Sequence, residues 1–234
     1  MRFRARVAAA AVIGSALTTV AFSSSALAAP DFSDCPTTAT GVTQCLVLQS
    51  TGGSLNINGT AIPLGDSLNI RGGITADSTA LVPPVGRTGL DSTPVKVPGG
   101  LVRSNSPSPL NNLTVQFKLA GNGPIKFDSG TFDLSLPVKL TVKNPLIGTC
   151  KFGTDANPIQ LDLPVATVGD FVFEDTYFEA FGNEHTGNTF AVPAASGCAL
   201  RALNSLINWR FGAPSPAGHN SLTITDDVAI TFGL

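Results

Sequence analysis

Two segments alternate apolar and polar residues so regularly that they constrain the fold more than any other feature of the chain. Leu113–Leu119 reads LTVQFKL, and Leu134–Val142 reads LSLPVKLTV. A period of two is typical of β-strands that have one buried face and one solvated face. Both segments are therefore predicted as strands of an antiparallel sheet that is covered on one side.

Shorter runs punctuated by Gly and Pro predict further strands. Asn58-Gly59 is a strong hairpin signal, and Pro63 would restrict the returning strand to an edge or a bulge. Residues 75–111 are rich in Pro, Gly, Ser and Thr, which predicts irregular loops around one short strand at Val95–Val97. The remaining predicted strands are 44–49, 54–57, 61–64, 67–71 (ending before Gly72-Gly73), 159–165, 171–177, 188–192 and 222–232.

One segment near the C-terminus has helical spacing instead. Between Ala199 and Phe211 apolar residues recur three and four positions apart, and Gly212 and Pro214 follow as stop signals. We expect a short amphipathic helix that closes one end of the sheets. The predicted fold is an all-β antiparallel β-sandwich with one short helix near the C-terminus, formed by residues 29–234 as a single domain.

The composition agrees with such a fold and excludes other classes. The 234 residues include 24 Gly and 17 Pro, and only 13% of the chain is charged. This profile argues against a helical bundle, a disordered chain and a nucleic-acid-binding protein, which need helix formers, high charge and a basic excess respectively.

The N-terminus has the pattern of a signal peptide. Arg2, Arg4 and Arg6 precede an apolar stretch, and Ala26-Leu27-Ala28 supplies the small residues that signal peptidase accepts. We expect cleavage after Ala28, secretion, and no transmembrane anchor in the product, with 11 basic and 16 acidic side chains remaining. An uncleaved anchor is the alternative, but the stretch is shorter than the roughly 20 residues that a spanning helix needs.

The four cysteines all follow the predicted cleavage site. An even number in an exported chain indicates two disulfides, and four cysteines allow three pairings. We favour Cys35–Cys45, which flanks a turn-rich segment, together with Cys150–Cys198. The sequence has no C-x-x-C, and neither histidine lies at ligand spacing from a cysteine, so a metal site is not expected.

Several blocks of this sequence resemble an uncharacterised family of small secreted proteins from actinobacteria, of the streptomycete type. The resemblance implies the compartment and a compact secreted fold, supports the pairing of Cys150 with Cys198, and carries over no catalytic residue. The blocks are Asp34–Pro36, Gly72-Gly73, Leu134–Leu140, Asn144–Gly148 with Cys150, Asn157–Ile159, Asn188–Pro193, Ser196–Cys198 and Pro214–Asn220.

Residues with catalytic potential are few. His185 and His219 are the two histidines, and the sequence has neither a G-x-S-x-G nor an H-E-x-x-H motif. Acidic residues cluster at 174–184 and at Asp226-Asp227, without the spacing of a calcium loop. Surface or turn roles are the simpler interpretation of these residues, and we expect no catalytic residue, no metal and no cofactor.

The aromatic composition suggests a different kind of site. The chain has 14 Phe but one Trp and one Tyr, whereas sugar-binding surfaces usually present flat Trp or Tyr rings. Core packing is one interpretation of the aromatic cluster between residues 171 and 181. The other is an apolar ligand site or contact surface, with these candidate residues: Phe171, Phe173, Tyr177, Phe178 and Phe181.

The sequence therefore predicts a non-enzymatic secreted or cell-envelope protein that acts through surface contacts. The first alternative is an extracellular carrier of a lipid or glycolipid, with the aromatic cluster and the helix 199–211 near its mouth. The second is a secreted hydrolase. The candidate partners are an envelope lipid or another secreted protein, and nucleic acid is not expected.

Overall fold

A computed structural model describes residues 29–76, 78–121 and 123–234 of the chain. The predicted signal peptide, residues 1–28, lies outside the described residues. The described part folds as an antiparallel β-sandwich with one α-helix and two disulfides, as predicted.

The strands form two antiparallel sheets. Sheet A and sheet B are joined at one edge by the single pair Ala80–Lys126. The elements are β1 (Val42–Ile57), β2 (Thr60–Pro63), β3 (Leu68–Thr75), β4 (Ser78–Val82), β5 (Leu90–Ser92), β6 (Val95–Lys96), β7 (Thr114–Leu119), β8 (Lys126–Phe127), β9 (Leu134–Asn144), β10 (Gly148–Phe152), β11 (Ile159–Leu163), β12 (Val165–Thr167), β13 (Asp170–Phe173), β14 (Tyr177–Gly187), α1 (Arg201–Phe211) and β15 (Asn220–Thr231), with a short 3₁₀ helix at Pro109–Asn111.

Long strands hold each sheet together. In sheet A the central order is β14, β15, β1 and β3. β12 and β13 lie end to end along the outer side of β14, and β2 pairs with the end of β1. β4 and β5 both pair with β3. In sheet B, β9 pairs with β7 and β8 on one side and with β10 and β11 on the other, and β6 extends β7.

The core lies between the two sheets. Apolar residues of β3 and β15 in sheet A meet those of β9 and β11 in sheet B around a residual cavity of only about 10 Å³. The alternation predicted for β7 and β9 is confirmed, because Leu134, Leu136, Val138, Leu140 and Val142 are all buried. Close packing of this kind is typical of a native protein interior.

The Asn58-Gly59 hairpin is also confirmed. Both residues have positive φ, 44° and 84°, as a type I′ turn requires, and β2 returns along β1 with Pro63 exposed.

Other boundaries differ from the sequence-based expectation. The predicted strands at 44–49 and 54–57 are parts of one long strand, β1, because an irregularity between Ser50 and Gly52 accommodates the glycines without ending the ladder. β3 continues through Gly72-Gly73 instead of ending there. A Cβ at Gly73 would lie 2.6 Å from Cγ1 of Val42, so a glycine is needed where the side chain of the first residue of β1 packs against β3.

Three further expectations were wrong. The segment 171–177 is a hairpin rather than one strand, because the chain turns at residues 174–176 between β13 and β14. The segment 188–192 forms only the isolated bridge Val192–Ser215. Within 75–111, β4 and β5 add to the edge of β3 and were missed.

The predicted helix and disulfides are present. Helix α1 ends at Gly212, whose φ of 65° makes it a left-handed cap, and Phe211 packs on Phe152 at 5.3 Å between ring centroids. Leu200 and Trp209, two of the apolar residues between Ala199 and Phe211, are exposed and do not join the buried side of the helix. The disulfides are Cys35–Cys45 and Cys150–Cys198, which indicate an oxidising environment.

Candidate functional site

Four phenylalanine rings form an exposed patch at the edge of sheet A. Phe171 and Phe173 lie on one face of β13, Phe178 lies on β14, and Phe232 follows β15. Ring centroids are 6.0 Å apart between Phe171 and Phe173 and 6.4 Å apart between Phe173 and Phe232, and both pairs are stacked. We call these four residues the phenylalanine patch.

The outer rings of the patch are well exposed to solvent. The exposed fractions are 68% for Phe173, 50% for Phe232 and 44% for Phe171. The backbone N–H of Phe232 donates to the carbonyl of Thr176, which holds the end of the chain against the β13–β14 turn. The patch is therefore a surface feature with a fixed backbone.

Buried aromatic rings support the patch from inside. Phe132 lies edge-on to Phe171 at 5.9 Å and contacts Phe178 at 6.4 Å, and its other neighbour is the fully buried Phe127 at 5.8 Å. Phe132 has a φ of 64°, and its backbone N–H donates to the carbonyl of Asp128. Such a conformation is strained for a bulky residue, so the turn is held by its contacts in an arrangement that places the ring under the patch.

The sequence identified three of the four patch residues and two residues that lie elsewhere. Tyr177 packs on Phe32 at 5.8 Å, and Phe181 pairs with Asp170 on the opposite face of the β13–β14 hairpin. Phe232 and the supporting Phe132 were missed, because they join the patch only through the pairing of distant segments.

Acidic residues lie near the patch, most of them on the opposite face of the same strands. Asp170, Glu174, Asp175, Glu179 and Asp227 lie on the β13–β14 hairpin or on the adjoining part of β15. Burial, and then the charges of Asp227 and Glu174, raise the pKa of Glu179 above its ordinary value. Burial, and then the charges of Glu179 and Glu174, raise the pKa of Tyr177. Register places Asp170, Glu179 and Asp227 on the face of sheet A opposite the phenylalanine rings, so the patch has an electronegative surface behind it and acidic residues in the adjoining turn.

The two adjacent aspartates of the sequence have different roles. Asp227 accepts a hydrogen bond from the backbone N–H of Gly182 at the surface, whereas Asp226 is fully buried beside His185. His185 Nε2 lies 3.1 Å from Asp226 Oδ2, and its Nδ1 lies 3.3 Å from the carbonyl oxygen of Leu163. Burial lowers the pKa of His185, but the nearby carboxylate of Asp226, with smaller effects from Leu163 and Asp133, raises it overall.

His185 is buried within the protein and does not line a cleft. His185 has no exposed surface, and its neighbours on the adjacent strands are Val165 and Ile224. The second histidine, His219, lies in the turn before β15, where its carbonyl accepts from the N–H of Asn58. Ile224 follows His219 by five positions, or about 17 Å of extended strand, so the two histidines lie far apart.

Within the described residues no group of His, Cys, Asp and Glu side chains could hold a metal ion. One surface groove, of about 590 Å³, is lined by residues within 157–162, 189–193 and 214–216. A second, of about 510 Å³, is lined by residues within 96–100 and 104–113. Neither groove includes a residue of the phenylalanine patch.

The patch and helix α1 lie at opposite ends of β15. Phe232 follows the last residue of that strand, whereas Gly212 beside the helix accepts from Asn58, whose hairpin adjoins the first residue, Asn220. Twelve strand residues span about 40 Å. The expectation that the helix 199–211 and the aromatic cluster share one mouth was therefore wrong.

No helix among the described residues is long and apolar enough to cross a membrane. Comparison of the chain with known protein families, with curated proteins and with solved structures found no match.

Proposed function

We propose that this chain is a non-enzymatic secreted or cell-envelope protein that acts through surface contacts, and that the phenylalanine patch is one of its contact surfaces. The observation that carries the proposal is the exposure of three stacked rings on a rigid sheet edge. The predicted leader and the two disulfides support the location.

The patch is suited to binding because its rings would need to lose little conformational freedom when a partner binds. Burying a Phe side chain contributes about 1.5–3 kcal/mol. The supporting rings Phe132 and Phe127 already hold the patch in place, which reduces the entropy that binding would cost.

A protein segment in extended conformation fits this surface best. Among the described residues β13 is hydrogen-bonded only to β14, so it is an edge strand to which a further strand can add. The acidic side chains on the opposite face of the hairpin and in its turn would repel an anionic lipid surface and also a second copy of the same edge, and they favour basic residues at alternate positions of an added strand. We therefore propose a partner segment with alternating apolar and basic residues.

The two alternatives receive less support. A lipid carrier usually has an apolar cavity of several hundred Å³, whereas the core between the two sheets leaves only about 10 Å³. A pocket of about 310 Å³ beside Leu81, Leu119 and Ile125 is partly open to solvent and is lined also by the charged side chains of Arg71 and Arg87. A hydrolase that uses His185 would need a substrate to reach a side chain with no exposed surface.

Selection from a displayed random peptide library on the immobilised full chain tests the proposal. We expect enriched peptides to alternate apolar and basic residues, and a synthesised example to lose about 100-fold in affinity when Phe173→Ser and Phe232→Ser remove two rings. The matched control is Val85→Ser with Leu146→Ser, two exposed apolar residues away from the patch. Absence of enrichment, or equal binding by both double variants, would overturn the proposal.

A further inference from the structure

The lysines of this chain are confined to one part of the fold. The sequence contains six lysines, and every one lies on a strand of sheet B. They are Lys96 on β6, Lys118 on β7, Lys126 on β8, Lys139 and Lys143 on β9, and Lys151 on β10.

Strand register places all six on the same face of that sheet. Residues that lie opposite each other on neighbouring strands point to the same side. Lys118 lies opposite Lys139, Lys151 opposite Thr141, and Lys126 opposite Ser135. Lys96 lies opposite Thr114, which in turn lies opposite Lys143. The intervening residues of β9 are buried, so this is the outer face of sheet B.

Five of these lysines form one continuous basic surface. Lys126 is set apart, because it lines a groove together with Asp128, Asp133 and Asp162. The other five are named here the lysine face: Lys96, Lys118, Lys139, Lys143 and Lys151.

Little negative charge balances the lysine face. Lys139 Nζ lies 2.5 Å from Oδ1 of Asp155, and hydrogen bonds from Lys139 and from the backbone of Gly121 hold the pKa of Asp155 below its ordinary range. Within the described residues the other four lysines form no ion pair, and all four are exposed. The residues from 29 onward nevertheless carry a net negative charge, so the basic surface is a local concentration against an acidic background.

One contact of this arrangement works against the fold. Like charges directly opposite each other destabilise a sheet, and Lys118 and Lys139 are such a pair. An external anion that neutralised both lysines would remove this repulsion.

The spacing and the neighbouring side chains indicate what kind of anion fits. Neighbouring strands lie about 4.8 Å apart and alternate residues about 7 Å apart, so the ammonium groups form a flat array with separations of roughly 5–14 Å. Thr114, Gln116, Thr141 and Thr149 lie between them and supply hydroxyl and amide groups. These strands present no aromatic ring on this face on which a nucleobase could stack, and no large apolar side chain that could enter a membrane.

We propose that the lysine face binds an extended anionic polymer that carries repeated phosphate or carboxylate groups. Lysine ammonium groups act as point charges and do not require the planar geometry that arginine selects. Such a polymer would lie across the strands and contact several lysines together. This inference is independent of the phenylalanine patch, which lies on other strands.

Titration of the full chain with defined polyanions tests the inference. Inorganic polyphosphate and poly-glutamate separate the phosphate source from the carboxylate source, and vesicles of anionic phospholipid test a membrane instead. The variant Lys118→Gln with Lys143→Gln removes two lysines of the face. The control Lys126→Gln with Arg201→Gln removes the same charge from exposed positions outside it.

We expect at least one polymer to bind, with an affinity that falls as salt rises. Each neutralised anionic group contributes about 0.7–0.9 to the slope of log K against log salt. The double variant loses two contacts, so the magnitude of this slope should fall by about 1.5. The affinity at about 50 mM salt should fall by roughly 100-fold. The control should change the affinity by less than about threefold.

Three results would overturn the inference. One is that neither polymer binds the unmodified chain. The second is an equal loss of affinity in the two double variants, which would mean that net charge alone is responsible. The third is binding to anionic vesicles without binding to either polymer, which would assign the face to a membrane.

Discussion

Lys118 of β7 lies directly opposite Lys139 of β9, on the solvated face of sheet B. Only Lys139 has a carboxylate partner, Asp155, so the two ammonium groups share one region of the sheet with a single balancing charge. Natural sheets commonly place opposite charges or polar pairs at such positions.

This pair gives the first prediction. Lys118→Thr should raise the free energy of unfolding by about 0.5 kcal/mol, because it removes a like-charge contact and introduces a residue that favours strands. Urea denaturation at low salt measures the difference, and added salt should reduce it. Lys96→Thr, on the same face but opposite Thr114, is the matched control and should give the smaller gain. A loss of stability in Lys118→Thr would show that the lysine pair is not repulsive.

The second prediction concerns the buried pair His185 and Asp226. The pKa of His185 is raised in the folded protein above its ordinary value of 6.5. A raised pKa means that the folded state holds the proton more tightly than the unfolded state. The stabilisation is therefore complete below about pH 6.5 and is lost as the pH rises through the folded pKa.

Asp226→Asn should reverse this dependence. Without the carboxylate, burial lowers the pKa of His185, so stability should rise as the pH increases through about 6.5. The variant should also lose about 3–5 kcal/mol, because it leaves a buried group without its charged partner. Urea denaturation between pH 5.5 and 8.5, with His185→Gln as the non-titrating control, measures both effects. An unchanged pH slope in Asp226→Asn would contradict the assignment.

The third prediction compares the two disulfides. Their sequence separations are 10 and 48 residues. Chain-entropy estimates give about 3 kcal/mol for the shorter loop and about 4 kcal/mol for the longer one. Replacement of Cys150 and Cys198 by Ala should thus destabilise the protein more than replacement of Cys35 and Cys45. Denaturation of the two double variants measures the order, and the reverse order would show that contacts outside the loops dominate.

The fourth prediction concerns Arg210, which is buried and has no carboxylate partner among the described residues. Its Nε and Nη2 donate to the carbonyls of Gly100 and Pro98, both at 2.6 Å, and these bonds connect α1 to the loop after β6. Burial, and then the charge of Arg103, lower its pKa below the ordinary value.

Arg210→Met should reduce the free energy of unfolding by about 3 kcal/mol, because the buried carbonyl of Gly100 and the part-buried carbonyl of Pro98 lose charge-assisted hydrogen bonds. Arg201→Met, at the exposed start of the same helix, should change it by less than about 0.5 kcal/mol. Thermal unfolding of both variants makes the comparison. Equal stability of the two variants would mean that the hydrogen bonds of Arg210 make no net contribution to the free energy of unfolding.

The features that local sequence determines were predictable. Asn58-Gly59 can adopt the positive φ values of a tight hairpin whatever surrounds it, and Gly212 caps α1 for the same reason. The alternation in β7 and β9 predicted which face of each strand is buried, and the lysines at 118, 139 and 143 follow from it.

Features that depend on distant pairing could not be predicted. Phe232 reaches the phenylalanine patch only because β15 pairs with β14, and Asp226 meets His185 through the same register. The lysine face depends on how β6 and β10 pair with β7 and β9. A one-residue shift in register would move every side chain of a strand to the other face, and composition carries no information on it.

The central claim is that this protein works through its surface and not through a bound small ligand. Native mass spectrometry of the full chain expressed in an actinobacterial host, followed by solvent extraction, tests it most directly. We predict the mass of residues 29–234 less four hydrogens, for two disulfides, with no stoichiometric adduct. A lipid that is present at one copy per chain and is released on unfolding would contradict the claim and identify a carrier.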